Sequence, residues 1–347
     1  MNPPRVLIAD LHLTDRTVFG RPRLVVGLNV LEQSYRVAKE YKAPCVEILG
    51  DLLDSKTRIS LDVLLALRNF FDTHRDIHWL WLRGNHESPD RQAPEKSIMA
   101  LFEGVGAHGL ADIVTAPRVQ RGNPHLVWMP WYPAEMYLQK LAEAVEGIAG
   151  PAQLMTHLGL RDGHASGSNF HPPSKLGVED LFKVYPWQIV LLGDYHEAQQ
   201  VGDRPCYYIG AALPQDFGES GAAQCMVYTQ GSWGRRELEA PRFCKWAITS
   251  QETLGLKGYR ASDYNRIQVM PEFLEQVRLL YPDAEPLLIQ EAEFTTEEPG
   301  EGPRLVDGDQ LPTLMQQYLE YRNLGSRSTE YMAVGMKIVE KSKMEVA

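Results

Sequence analysis

Five short stretches of this chain place acidic, amide and imidazole side chains directly after apolar runs. They are Asp10-Leu11-His12, Gly50-Asp51-Leu52-Leu53-Asp54, Gly84-Asn85-His86-Glu87, His157, and Gly193-Asp194-Tyr195-His196. The runs before them (5–9, 45–49, 77–82, 152–156 and 188–192) read as buried strands. Loops beyond the carboxyl ends of strands in an α/β sheet are where ligands gather. Two neighbouring divalent cations need a shared carboxylate, further oxygen donors and neutral imidazoles, and these residues supply that set. In an extended loop alternate residues point the same way. Asp10 with His12, and Asp194 with His196, can therefore grip one ion together. Any one of these pairs could be a cap or a turn, but five strand ends with the same punctuation point to a dimetal centre.

The elements that would carry these residues alternate along the chain. Helical periodicity covers 27–41, 61–71, 95–102 and 134–145, with Ser60 a plausible start for the second. A further strand lies at 125–129, and short β runs follow at 206–209, 225–229 and 235–238. The order predicts an α/β fold, a two-sheet β-sandwich flanked by helices, with one edge of the sandwich collecting the polar residues.

The chain has 347 residues, 44% of them hydrophobic, enough for a sizeable core and more than one domain. Its net charge of −10 gives no global basic field toward nucleic acid or a membrane surface, although a local patch, a metal or a basic partner can still bring DNA. Cys45, Cys206, Cys225 and Cys244 show no C-x-x-C spacing and read as small core residues of a reducing compartment. No apolar run reaches membrane-spanning length and the N-terminus lacks a signal-peptide core, so the sequence reads as cytoplasmic and soluble.

Taken together, the five motifs resemble the ordered motifs of the calcineurin-like metallophosphoesterases, over about residues 5–240. The resemblance implies that Asp10, His12 and His196 hold one metal, that Asn85, His157 and Asp194 hold the other, and that Asp51 bridges them. It makes His86 the general acid or transition-state stabiliser, oriented by Asp54. One position departs from the family, whose last motif is usually Gly-His-x-His. A carboxylate at 194 lowers the charge of the site and favours hard, oxygen-preferring ions, Mn²⁺ first and Mg²⁺ second, over Zn²⁺. Alternatively, Asp194 only hydrogen-bonds nearby and the second ion binds weakly.

Residues outside the motifs bear on which phosphoester is cut. Leu82-Arg83-Gly84-Asn85-His86-Glu87 is similar to the corresponding motif of Ser/Thr protein phosphatases. Ser55 and Lys56, however, stand where those enzymes carry Arg-Gly, and Asp10 is not preceded by glycine. The stretch from Tyr208 through Gln215-Asp216-Phe217-Gly218-Glu219 resembles the segment after the last motif in SbcD-type nucleases, and 241–248 resembles the start of their small capping domain. The expected organisation is a metallophosphoesterase domain over 1–240, a capping, DNA-binding α+β domain over 241–296, a Glu/Pro/Gly-rich linker over 297–310 and a helical tail over 311–347. Within the cap, 264–269 and 287–294 read as strands and 271–280 as a helix with proline in its first turn. Lys245, Lys257, Arg260 and Arg266 are candidates for phosphate contacts. In the tail, Leu314, Tyr318 and Leu319, then Tyr331, Val334 and Ile338, form apolar faces on helices too short to stand alone. Such faces either fold back on the body or dock on a partner.

The resemblance implies an SbcC-type coiled-coil ATPase as that partner, a homodimer, DNA as substrate, and 3′-to-5′ exonuclease with single-strand endonuclease activity in recombination and repair. A phosphatase or cyclic-nucleotide phosphodiesterase on the same core, or a scaffold subunit that has lost the second ion, are the alternatives.

Overall fold

The structure is a computed structural model that describes residues 3–102, 111–165, 174–219, 221–229 and 231–288. The linker and tail read from the sequence, with Leu314, Tyr318, Leu319, Tyr331, Val334 and Ile338, lie outside the described residues.

In chain order the first half comprises β1 (Arg5–Ile8), a hairpin of β2 (Thr17–Val18) and β3 (Arg21–Pro22), α1 (Arg23–Tyr41), β4 (Cys45–Leu49), α2 (Leu61–Thr73), β5 (His78–Leu82), β6 (Asp112–Val114), β7 (Arg118–Gln120) and β8 (His125–Met129). Then come α3 (Ala134–Val145), β9 (Ala152–His157), α4 (Val178–Val184), β10 (Ile189–Gly193), β11 (Gln199–Gln200), β12 (Cys206–Tyr208), β13 (Gln224–Thr229) and β14 (Ser232–Glu237). The last segment has β15 (Phe243–Ile248), β16 (Tyr264–Val269), α5 (Leu274–Leu280) and β17 (Glu285–Leu288).

Two six-stranded sheets face each other, ordered β14-β13-β1-β4-β5-β6 and β11-β12-β10-β9-β8-β7. Their inner faces meet in a core that includes Leu7, Leu49, Leu80, Leu82, Trp128, Met155 and Leu191. The outer face of the first sheet packs against α1 and α2 through residues such as Val30, Leu31, Leu67 and Phe71. The outer face of the second packs against α3 and α4 through Tyr137, Leu141, Val178 and Leu181. Strands buried on both faces must be apolar throughout, which is why β1, β4, β5, β9 and β10 read as apolar runs rather than alternating ones. The sandwich flanked by helices is the architecture anticipated from the sequence.

Local chemistry explains several boundaries. Ser60 accepts a hydrogen bond from the Val63 N–H at 3.3 Å and so starts α2. Lys42 takes a left-handed conformation (φ 56°) and ends α1 by returning its N–H to Lys39 and Ala38. Helix α1 begins four residues before the expected 27, because Pro22 caps it without any side-chain signal. The expected helix at 95–102 is a 3-10 segment, Ile98–Phe102, too short to close α-helical turns. In the cap, Pro271–Phe273 is likewise 3-10 and leads into α5, while β17 starts two residues before the expected strand.

Strands β15, β16 and β17 form a separate parallel sheet with its own small core around Ile248, Ile267, Val269 and Val277. It belongs to the same compact unit, Met1–Ile289, as the sandwich. The four cysteines are free thiols. No helix among the described residues is long and apolar enough to cross a membrane.

Candidate metal centre

Parallel pairing of β1 with β4, β4 with β5, and β9 with β10 aligns the carboxyl ends of these strands along one edge of the sandwich. Past that edge the first two loops continue to pair. Asp10 N–H donates to Gly50 O at 3.2 Å, His12 N–H to Asp51 O at 3.0 Å and Leu13 N–H to Leu52 O at 2.8 Å. Leu11 and Leu13 are buried in the α1 side of the core. Their partners in the alternation, Asp10 and His12, turn to the cluster.

Four residues of the cluster hold positive φ: Asp10 (54°), His12 (48°), Asp51 (49°) and Asp194 (99°). Non-glycine residues keep such conformations only where the surroundings over-determine them, and they gather at functional sites. The motif glycines serve a different end. A methyl group on Gly84 would collide with the Asp51 carboxylate, and one on Gly50 with the His157 ring.

The side chains converge in three overlapping groups: Asp10, His12 and His196; His12, Asp51 and His86; and Asp10, Asp51 and His157. Within each, the ligand atoms lie within 4.8 Å of one another. His12 Nε2 and His196 Nε2 stand 3.1 Å apart. His157 Nε2 is 3.4 Å from Asp51 Oδ2 and 3.5 Å from Asp194 Oδ1. Asp51 Oδ2 is also 3.9 Å from both His12 Nε2 and His86 Nε2, so this one carboxylate faces three imidazoles. All are buried except His86, whose side chain is 25% exposed.

Hydrogen bonds behind the cluster fix which atoms face it. His157 Nδ1 is 2.8 Å from Leu49 O, and His196 Nδ1 is 2.6 Å from Glu219 Oε1. Both rings therefore spend their Nδ1 proton on an acceptor behind them and turn Nε2 inward. The Asp194 N–H donates to both oxygens of Asp10 at 3.1 Å. Glu87 accepts from the N–H groups of Asp51, Leu53 and Gly84 at 2.9–3.0 Å, locking two loops together.

Three observations fit the cluster to cations. Asn85 Oδ1 and His157 Nε2 are buried with no hydrogen-bond partner, which is costly unless something positive meets them. Two inward Nε2 atoms, on His12 and His196, meet with a carboxylate beside them. Burial pushes the Asp10 carboxyl up to about 7 and holds the His12 imidazole well below its usual value. Burial also opposes charge on Asp51 and His157, yet their mutual attraction overcomes it, lowering Asp51 and raising His157. Without cations, protons must neutralise the site.

Of the residues singled out from the sequence, the structure brings together Asp10, His12, Asp51, His86, His157, Asp194 and His196, and Asn85 directly precedes His86 with its Oδ1 buried. Asp54 stands apart. Its carboxylate lies 3.5 Å from Arg16, and it is its main-chain carbonyl that meets His86 Nδ1. Arg260 is paired with Asp263, and Arg266 with Glu285 at 2.6 Å, while Lys245 and Lys257 are exposed. Glu219 and Glu87, which the sequence showed only as letters in motifs, hold ligands and loops in place.

The family model of calcineurin-like phosphoesterases matches residues 4–198, more than half of the chain. The chain belongs to that family. It is a metal-dependent hydrolase, the family works through a dimetal site, and the Asp/His groups above are its candidate ligands. Among solved structures, a dimetal phosphatase from Danio rerio is 14% identical, covering 68% of this chain and 95% of its own, with a TM-score of 0.45. The nuclease MPE of Pseudomonas putida is 13% identical, covering 67% and 87%, with a TM-score of 0.31. The curated proteins contain no match.

Proposed function

We propose that this phosphoesterase is a DNA nuclease of the SbcD type, acting as a 3′-to-5′ exonuclease and single-strand endonuclease. In this reading it works in DNA end processing, recombination and repair beside an SbcC-type ATPase, as a homodimer. What supports the reading is one segment that ties the small three-stranded sheet to the metal-ligand cluster. Glu219 of that segment holds His196, and Phe217 lies beneath the Arg266 guanidinium of the cap at 4.1 Å. A cap joined to the reacting edge gives a polymer a second surface beside the cluster, which a small phosphomonoester does not need.

Asp10, His12, Asp51 and His196 would hold one ion and Asp51, Asn85, His157 and Asp194 the other, with Mn²⁺ the first choice and Mg²⁺ the second. Bound there, two such ions lower the pKa of water and offset charge on phosphoryl oxygens. The chain's own residues do the rest. Asp51, facing three imidazoles, keeps the cluster compact. His86, tied by Nδ1 to the Asp54 carbonyl, presents Nε2 beside Asp51; in its imidazolium form that atom donates a proton to the leaving 3′ oxygen.

The test is digestion of linear DNA with Mn²⁺, Mg²⁺ and Zn²⁺, by wild type and His86→Ala, with and without an SbcC-type ATPase. DNA left intact while a phosphoprotein or nucleotide is hydrolysed would overturn the nuclease reading in favour of a phosphatase or cyclic-nucleotide phosphodiesterase.

A further inference from the structure

Gln215 stands where three parts of the molecule meet. Its main-chain N–H donates to Glu219 Oε2 at 2.8 Å, and the other oxygen of Glu219 holds His196 Nδ1. Its side-chain Nε2 faces the carbonyl oxygens of Leu213 at 2.6 Å, Leu11 at 3.3 Å and Asp10 at 3.5 Å. Its Oε1 accepts from Arg23 Nη2 at 3.0 Å, a nitrogen that also donates to Pro214 O at 2.8 Å. One glutamine thus touches the main chain of Asp10 and, through Glu219, the ring of His196. Those are the two residues whose ligand atoms converge with His12 in one group of three.

Arg23 in turn reaches the cap. It is 3% exposed, and its guanidinium lies 5.8 Å from the rings of both Phe243 and Tyr264. Those two rings stack on each other at 4.5 Å, and Phe217 packs edge-on against Phe243 at 5.0 Å. The aromatic face of the cap therefore rests on the arginine that holds the Gln215 side chain.

We propose that Arg23 and Gln215 are positioning residues for one ion alone, the one taken by Asp10, His12 and His196, and that seating of the cap on Arg23 sets how firmly that ion is held. The proposal rests on the dimetal reading above. Asp10 sits in a left-handed conformation that its surroundings must maintain, and the Gln215 amide is part of those surroundings. Glu219 fixes the tautomer and direction of His196, and Gln215 fixes Glu219. The support to Glu219 is the Gln215 main-chain N–H, so losing the side-chain amide alone lowers affinity at this position by about 10-fold, and loosening the whole segment by up to about 100-fold, the usual effect of losing groups behind metal ligands.

The experiment is Mn²⁺ titration of the full chain followed by electron paramagnetic resonance, which counts bound ions and reports whether two are exchange-coupled. Wild type is expected to bind two ions with a coupled signal. Gln215→Glu is isosteric and keeps Arg23 but cannot donate to the three carbonyls; Arg23→Met removes the anchor. In both, one ion is expected to weaken, about 10-fold in Gln215→Glu and up to about 100-fold in Arg23→Met, with the other unchanged, so that at one equivalent an isolated Mn²⁺ signal replaces the coupled one. Phe243→Ala, in the cap, is expected to act in the same direction. A purely structural role would instead weaken both ions alike. Either that result, or wild-type affinities for both ions in Gln215→Glu and Arg23→Met, overturns the proposal. Wild type binding fewer than two ions overturns the dimetal reading instead.

Discussion

His157 turns Nε2 to within 3.4 Å of Asp51 Oδ2 while its Nδ1 is held by the Leu49 carbonyl at 2.8 Å. In the neutral ring this geometry would set a nitrogen lone pair against a carboxylate in a buried place, which only a cation between or near them relieves. In the metal-free chain that cation is a proton, and the raised pKa of His157 expresses it.

Metal binding should therefore release protons and tighten with pH. His157 is raised by its carboxylate neighbours and burial raises Asp10 to about 7, so both carry protons below neutrality that metal must displace. Each displaced proton makes affinity about tenfold tighter per pH unit below its pKa, and the dependence flattens above it. Mn²⁺ titration calorimetry at pH 6 and pH 8, in buffers of different ionisation enthalpy, measures both affinity and protons released. Equal affinity at the two pH values, with no release, would contradict this account.

His86 contributes a ring that is partly exposed and tied behind to a main-chain carbonyl. His86→Ala is expected to lower the hydrolytic rate by about 10²- to 10⁴-fold while two ions remain bound. Asp54→Asn is expected to fall less than about tenfold, because the Asp54 contact to the ring comes from the backbone and survives the change. Rates on a chromogenic phosphodiester, paired with metal counts, distinguish the two variants. An equal loss in both would mean that the Asp54 carboxylate orients the ring during turnover.

Asp194 carries a carboxylate at the position where the family usually has histidine, 3.5 Å from His157 Nε2. Asp194→His exchanges a hard oxygen donor for a borderline nitrogen and raises the site charge. The variant is expected to gain Zn²⁺-supported activity relative to Mn²⁺. Competition between the two ions, read by elemental analysis of bound metal, checks it. An unchanged preference would leave Asp194 as a hydrogen-bonding residue only.

The cluster was legible in the sequence because its ligands sit at strand ends, where an apolar run followed by glycine and an acid is a local pattern. Asp10-x-His12 was readable as a pair, although left-handed φ at both residues rather than an extended loop carries them. The expected pairing of Asp194 with His196 is not seen: Asp194 lies 3.5 Å from His157 Nε2, while His196 converges with Asp10 and His12. Glu219 was not legible as a support for His196, since its contact spans 23 residues and depends on how Gln215 folds back. The Asp54 carbonyl was equally hidden, because a main-chain contact leaves no residue-type signal. Helix α1 began early because Pro22 gives no side-chain cap. In strand β4, Glu47 interrupts an apolar run, and nothing local says what it faces.

It faces Arg5, across strands of the first sheet and into the space between the two. Arg5 Nη2 donates to Glu47 Oε2 at 2.7 Å, Trp128 Nε1 of the second sheet donates to the same oxygen at 2.7 Å, and Arg5 Nη1 reaches Gln153 Oε1 at 3.3 Å. The pair is nearly fully buried, at 7% and 2% side-chain exposure. Removing one member of such a pair strands the other charge, whereas replacing both with apolar residues can be neutral or stabilising. Arg5→Met is expected to destabilise the fold by about 3–5 kcal/mol, and Arg5→Met with Glu47→Leu to recover most of that loss. The Trp128 indole then loses its acceptor, which limits recovery by about 1–3 kcal/mol. Urea unfolding of metal-free protein gives the three values, and the two metal affinities should stay at wild type because neither residue contributes to the cluster. A double variant as unstable as the single one would mean that the pair holds the sheets together through its charge and not merely through satisfied burial.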